Sequence, residues 1–359
     1  MQPWLSRVAG VAAVAGAIAL ASTVSVRADT FTLRLATGHP PAQHYVELFQ
    51  RYLAPQLKSR VAARTKHKMN VLELYSGSAI KLPETITALE KGVVDIAGGC
   101  YCFHPADFPL HSFPVWMPFG TENPLKSLNI ARDVYAQTPE LIDVFEQKHN
   151  QKLLALITLD PYELDSRRKI ETMADLQGLK VGGAGPNLPW VSGAGAIPVQ
   201  TTATIAYNSL QTGVYDAIIG YVSLTKALKL HEMAKYHTKV GFGSMTWLYV
   251  HMNLDTFNKL PPEVQKIVAE TGRDFEEVLA QETQERYASR IEEIQKDGAE
   301  IITIPEDLRK KWAESLKDWP NEKAKEADKL GLPGSAVAKR NLEAAERHGH
   351  VWPVRYVIQ

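Results

Sequence analysis

One stretch near the end of the chain limits the possible folds more than any other. Between Pro261-Pro262-Glu263 and Asp297-Gly298, apolar residues recur at helical spacing: Val264, Ile267, Val268, Phe275, Val278, Leu279, Tyr287, Ile291 and Ile294. Proline near the first helical position and an acid in the first turn mark the start. About 35 residues at 1.5 Å each make a helix of about 50 Å. That outruns one small domain, so the helix is expected to lie across two. Gly272 leaves a second reading open, two helices broken there, because glycine weakens a helix interior.

The first residues read as an export signal. Arg7 supplies a positive start, Val8 to Ala21 is small and apolar, and Val26-Arg27-Ala28 offers a cleavage site before Asp29. The apolar run is shorter than the roughly 20 residues that span a bilayer, which argues against an uncleaved anchor. The expected mature chain of about 330 residues suits two domains. Without Arg7 and Arg27 it has 38 basic residues against 40 acidic, a formal charge of −2. That balance argues against nucleic acid as a partner, which calls for a clustered basic face. The expected location is the periplasm.

Patterning along the chain predicts an α/β protein. Phe31–Ala36, Met69–Tyr75 and Val93–Gly98 read as strands, separated by helices over 45–57 and 82–92. This order implies a parallel sheet flanked by helices. A second α/β unit follows. Its strands are expected at 152–159, from Lys180 onward, and at 217–221, with helices at 173–176 and 204–212. Trp247–Met252 is a strand that can return to the first sheet. Ala299–Ile304 is a short strand and 308–330 a charged helix.

Enzyme motifs are missing. There is no Gly-x-Ser-x-Gly, no His-Glu-x-x-His and no phosphate loop, and Gly182-Gly183-Ala184-Gly185 lacks dinucleotide spacing. His348-Gly349-His350 reads as an exposed tail. Cys100, Cys102 and His104 alternate with Tyr101 and Phe103, so in an extended segment all three would share a face. Sulfur with imidazole suits copper or zinc, whereas buried cysteine is more often a small hydrophobe. A disulfide between the cysteines is disfavoured in an extended segment, where side chains two apart stand nearly 7 Å from each other.

Several segments together resemble the substrate receptors of tripartite ATP-independent periplasmic (TRAP) transporters. They are Leu74-Tyr75-Ser76-Gly77-Ser78 with Thr87 to Asp95 (TALEKGVVD), Pro114 to Phe119 (PVWMPF), Ile170 to Val181 (IETMADLQGLKV), Tyr207 to Asp216 (YNSLQTGVYD), and Leu260 to Lys266 (LPPEVQK). They fall in family order across nearly the whole mature chain. The resemblance implies a periplasmic binding protein of two α/β lobes around a cleft. One lobe would comprise 29–156 and 245–262, the other 157–244. The long helix over 263–297 would span both, and 298–359 would pack on them. It also implies a small-molecule organic solute as ligand, hinge closure, docking to integral-membrane permease subunits, no cofactor and no catalysis.

The pocket departs from the family pattern. An arginine usually follows "gly-leu-lys-ile", where its guanidinium forks onto a substrate carboxylate; here the residue is Gly182. A second family arginine corresponds by count to Tyr162, an aromatic platform to Ala203, and a polar position to Gly220. Tyr207 opens the helix motif. Thr37, His39, Ser76 and Cys100 are expected to line the first lobe, and Tyr101, Trp190, Tyr221 and Trp247 to offer aromatic faces. A less anionic, larger or aromatic ligand is therefore expected, unless Arg167, Arg168, Lys81 or His39 takes over the cation's part. The alternative is a periplasmic metal-binding protein built on Cys100, Cys102 and His104.

Overall fold

A computed structural model describes residues 28–359; the export-signal reading of 1–28 lies outside them but for its final residue. Nine strands form one mixed sheet: β1 (Thr30–Ala36), β2 (Lys68–Leu74), β3 (Ile96–Cys100), β4 (Gln151–Ser166), β5 (Lys180–Gly183), β6 (Ile197–Gln200), β7 (Ala217–Tyr221), β8 (Tyr236–Asn253) and β9 (Glu300–Thr303). Their spatial order is β2-β1-β3-β8-β4-β7-β5-β6, with β9 on β8. β1 pairs in parallel with β2 and β3, and β5 in parallel with β6 and β7. Each lobe thus has the parallel sheet its strand–helix alternation implies. The sheet becomes mixed because β4 and β8 run antiparallel between the lobes.

β4 is about twice, and β8 about three times, as long as its sequence pattern indicates. Their apolar parts, 152–159 and 247–252, lie beside β3, so 152–159 belongs with the first lobe's sheet and does not open the second unit as its position in the sequence suggests. The extensions read as loop because they carry Asp160, Pro161, Glu163 and Asp165 on one strand and Gly241 and Gly243 on the other. The structure buries those acids and gives each carboxylate donors. Glu163 accepts from the backbone N–H of Val240 at 2.5 Å and of Gly241 at 3.0 Å. Asp165 meets Thr225 Oγ1 at 2.6 Å and His237 Nδ1 at 2.7 Å. Buried polar groups are tolerated when so partnered.

The long helix runs unbroken over Pro262–Lys296, so Gly272 is no break. A Cβ at Gly272 would stand 2.4 Å from the Leu154 carbonyl oxygen. Glycine here lets the helix backbone lie against β4. Other boundaries moved. β3 begins at Ile96 rather than Val93 because Asp95 turns aside to bind Arg34, at 2.8 Å. The charged helix expected over 308–330 is two, Glu306–Glu314 and Trp319–Lys329, with Pro320 suited to a first turn but not an interior. Among the described residues no helix is long and apolar enough to cross a membrane.

Candidate ligand-binding site

The ends of β3, β5 and β7, with the middle parts of β4 and β8, line a cavity of about 60 Å³ between the lobes. His39, Cys100, Cys102, Phe103, Trp247 and Leu248 form the first-lobe wall. Leu159 and Tyr162 stand at the crossing strand. Gly183, Ala184, Asn187, Thr201, Thr202 and Ala203 close the second-lobe side, and Ile218, Ile219, Tyr221 and Leu224 complete it.

An aromatic corner organises the cavity. Trp247 Nε1–H donates to Tyr162 Oη at 2.9 Å. The Tyr162 ring lies edge-on to Tyr221, with centroids 5.2 Å apart, and to Trp247 at 6.0 Å. Such edge contacts add to the apolar burial of each ring. Tyr221 Oη–H donates to Gln43 Oε1 at 3.3 Å. Burial pushes both phenols far above their ordinary range, so they remain hydroxyls. Across the cavity, His39 Nδ1 contacts Tyr45 Oη at 2.5 Å, and that hydroxyl contacts Thr37 Oγ1 at 2.9 Å. Burial lowers the His39 imidazole to about 4, which leaves it neutral near pH 7. Among the described residues that line the cavity there is no arginine, lysine, aspartate or glutamate.

The structure brings His39, Cys100, Tyr162, Ala203, Tyr221 and Trp247 together, as lining residues. The other sequence-nominated positions lie elsewhere. Thr37 stands one layer behind His39. Ser76 is exposed and donates its N–H to the His39 carbonyl at 3.1 Å. Tyr101 points into the first-lobe core, where its hydroxyl meets His251 Nε2 at 3.0 Å. Trp190 is buried behind Tyr162 and donates to the Val115 carbonyl at 2.9 Å. Tyr207 meets Glu232 at the surface, at 2.9 Å. Gly220 faces Asp165. A Cβ at Gly182 would stand 2.8 Å from Tyr215 Cζ. The Tyr215 ring therefore fills the space a side chain at 182 would enter, and its hydroxyl meets Thr201 Oγ1 at 3.2 Å.

Of the four candidate cations, His39 reaches the cavity. Arg167 and Arg168 instead bind the carbonyls of Leu210 and Asp175 at the surface, and Lys81 is exposed.

The cysteine reading needs correction. β3 ends at Cys100 and a tight turn follows over Tyr101–Phe103. The segment is not extended, and the two Cα atoms come within 5.1 Å. Cys100 and Cys102 are joined as a disulfide, so neither offers the thiolate that the metal-binding alternative requires. Among the described residues, no three His, Cys, Asp or Glu side chains gather into a metal-holding group.

Sequence reasoning missed Asn187, Thr201, Thr202 and the apolar pair Ile218 and Ile219. The isoleucines lie inside the predicted strand 217–221, where apolar residues read as core. Asn187 and the threonines carried no comparable signal.

Two lobes joined by crossing strands, with a lined cavity between them, define a solute-binding receptor. The profile of the bacterial extracellular solute-binding proteins of family 7 matches residues 50–326, and the chain belongs to that family. A solute-binding protein from Albidiferax ferrireducens is 22% identical over 307 residues, covering 79% of this chain and 84% of that one. Two solved TRAP solute-binding proteins share the fold. One, from Rhodoferax ferrireducens with copurified benzoate, has a TM-score of 0.78 at 19% identity and covers 88% of this chain and 98% of its own. The other, from Bordetella bronchiseptica with bound mandelate, has a TM-score of 0.76 at 21% identity and covers 88% and 99%. The family is one of receptors, not enzymes.

Proposed function

We propose that this chain is the periplasmic receptor of a TRAP-type secondary transporter and that it selects an uncharged, small solute with an apolar or aromatic body. The observation that carries this reading is the charge-free cavity wall. The related structures hold benzoate and mandelate, both carboxylates. Such an anion in this cavity would meet only neutral groups, and an unpaired buried charge costs several kcal/mol. Gly182 and Tyr215 support the same reading, because the ring occupies the route a family-type arginine would take.

The lobes that close would be 29–156 with 245–262, and 157–244, with β4 and β8 as the hinge strands. The present cavity of about 60 Å³ is smaller than the roughly 150 Å³ that holds benzene. Loading a ring-sized solute therefore requires the lobes to part, a hinge motion of the kind binding proteins use. The loaded, closed form would then dock on the permease subunits.

A thermal-shift and calorimetric panel tests this. It pairs benzoate, mandelate and pyroglutamate with benzamide, mandelamide and 2-pyrrolidinone. A solute at 100 times its Kd adds about 2.7 kcal/mol of stability. The neutral partner of each pair is expected to bind more tightly. Low-micromolar binding of the acids, with the amides at least 100-fold weaker, would refute the neutral-solute reading.

A further inference from the structure

We infer that Asn187 is a specificity-determining residue: its carboxamide is the second lobe's hydrogen-bond donor to a carbonyl oxygen of the solute. The inference rests on the neutral-solute reading and adds the group by which that solute is recognised. Asn187 lines the cavity and is 1% exposed. Its Oδ1 accepts from the Ala184 N–H at 2.9 Å, which fixes the amide plane and decides which end is nitrogen. Nδ2 is then left without a partner inside the protein. Buried amide donors are nearly always satisfied, and an unmet one is a penalty that a bound acceptor removes.

The sequence around Asn187 keeps this geometry. A Cβ at Gly183 would stand 2.9 Å from Asn187 Oδ1 and 2.7 Å from Leu188 Cδ2, so glycine at 183 makes room for the carboxamide. Each neighbouring polar side chain has at least one partner inside the protein. Thr201 Oγ1 meets the Tyr215 hydroxyl at 3.2 Å, and Thr202 Oγ1 meets Thr204 Oγ1 at 2.9 Å. Tyr162 Oη accepts from Trp247, and His39 Nδ1 is held by Tyr45. Among the described lining residues, Asn187 Nδ2 is the one fully buried side-chain nitrogen or oxygen with no hydrogen-bond partner. It carries no charge, so it matches a carboxamide, lactam or ketone oxygen without compensating an anion.

The test uses the full mature chain, with benzamide as the probe and benzyl alcohol as the carbonyl-free control, followed by tryptophan fluorescence. The wild type is expected to prefer benzamide by at least tenfold. Asn187→Asp keeps the acceptor for Ala184 N–H but replaces both amide hydrogens with an acceptor oxygen. It should lose at least tenfold for benzamide and less than threefold for benzyl alcohol. Asn187→Ser, which withdraws the donor from the cavity, guards against a folding defect in the first variant and should abolish the benzamide preference. Equal benzamide affinity in the wild type and either folded variant overturns the inference and leaves the neutral-solute reading standing. Failure of the wild type to bind either probe, with tight binding of benzoate, overturns both.

Discussion

Replacing Gly182 with alanine places a methyl 2.8 Å from Tyr215 Cζ and 3.0 Å from both Cε atoms. Unstrained carbon contacts begin near 3.5 Å, so the ring must retreat by about 0.7 Å. Tyr215 has little room for that. It is fully buried, and its hydroxyl is held by Thr201 Oγ1 at 3.2 Å and the Ala206 carbonyl at 3.3 Å. Overpacking of this kind costs about 1–3 kcal/mol. Alanine offsets about 0.5–1 kcal/mol of that, through glycine's entropy in a strand. Gly182→Ala should therefore destabilise by about 1–2 kcal/mol. Tyr215→Val removes the ring and carries its own loss of a few kcal/mol. In that background Gly182→Ala should be neutral or mildly stabilising. The coupling energy should reach about 2 kcal/mol, well above the roughly 0.5 kcal/mol scatter of independent sites. Urea unfolding of the four proteins measures it. If the two substitutions add within that scatter, Tyr215 does not occupy the space beside 182, and the account of the displaced arginine route is wrong.

Three further outcomes follow from the same geometry. Gly272→Ala sets a methyl 2.4 Å from the Leu154 carbonyl oxygen, a main-chain atom with no rotamer to change; despite alanine's helix preference of about 1 kcal/mol, the urea midpoint should fall by the equivalent of about 3 kcal/mol, and an unchanged midpoint would show that the helix does not sit on β4. Asp160 is fully buried beside Ser223, and burial raises its carboxyl to about 7 from its ordinary 3.8. The unfolded chain gives up that proton first, so this group's contribution to stability is full below pH 4 and fades as pH rises to about 7. The stability of Asp160→Asn relative to the wild type should climb across that window by up to about 4 kcal/mol, and a difference that stays flat from pH 4.5 to 8 would contradict it. The double change Cys100→Ser with Cys102→Ser opens so small a loop that chain entropy predicts a loss of only about 1.5 kcal/mol; a thermal-melt loss beyond about 3 kcal/mol would show that the bridge does more than close the turn.

How far the sequence reaches depends on the range of the interactions involved. The long helix was legible because one apolar stripe repeats from Val264 to Ile294, and β7 because Ala217–Tyr221 is apolar and sharply bounded. Ordered motifs from Leu74 to Lys266 carried the family. The crossing halves of β4 and β8 were not legible. Asp160, Glu163 and Asp165 look like loop residues until Ser223, Thr225, His237 and the Val240–Gly241 backbone supply their donors. Counting along a motif finds the neighbourhood of a site but not the direction of a side chain. Tyr101 turns into the first-lobe core because β3 stops at Cys100, while Cys102, two residues from the strand's end, comes back to the cavity.

By itself, then, the sequence determined the α/β alternation, the domain-spanning helix and the glycine at 182, since each is written in neighbouring residues. Only the tertiary structure decided that Tyr215 fills the space beside that glycine, that the two cysteines close a turn, and that Asn187 lines the cavity with an amide nitrogen that has no partner. Those facts depend on which distant backbones approach one another, and close packing allows each such volume a single occupant.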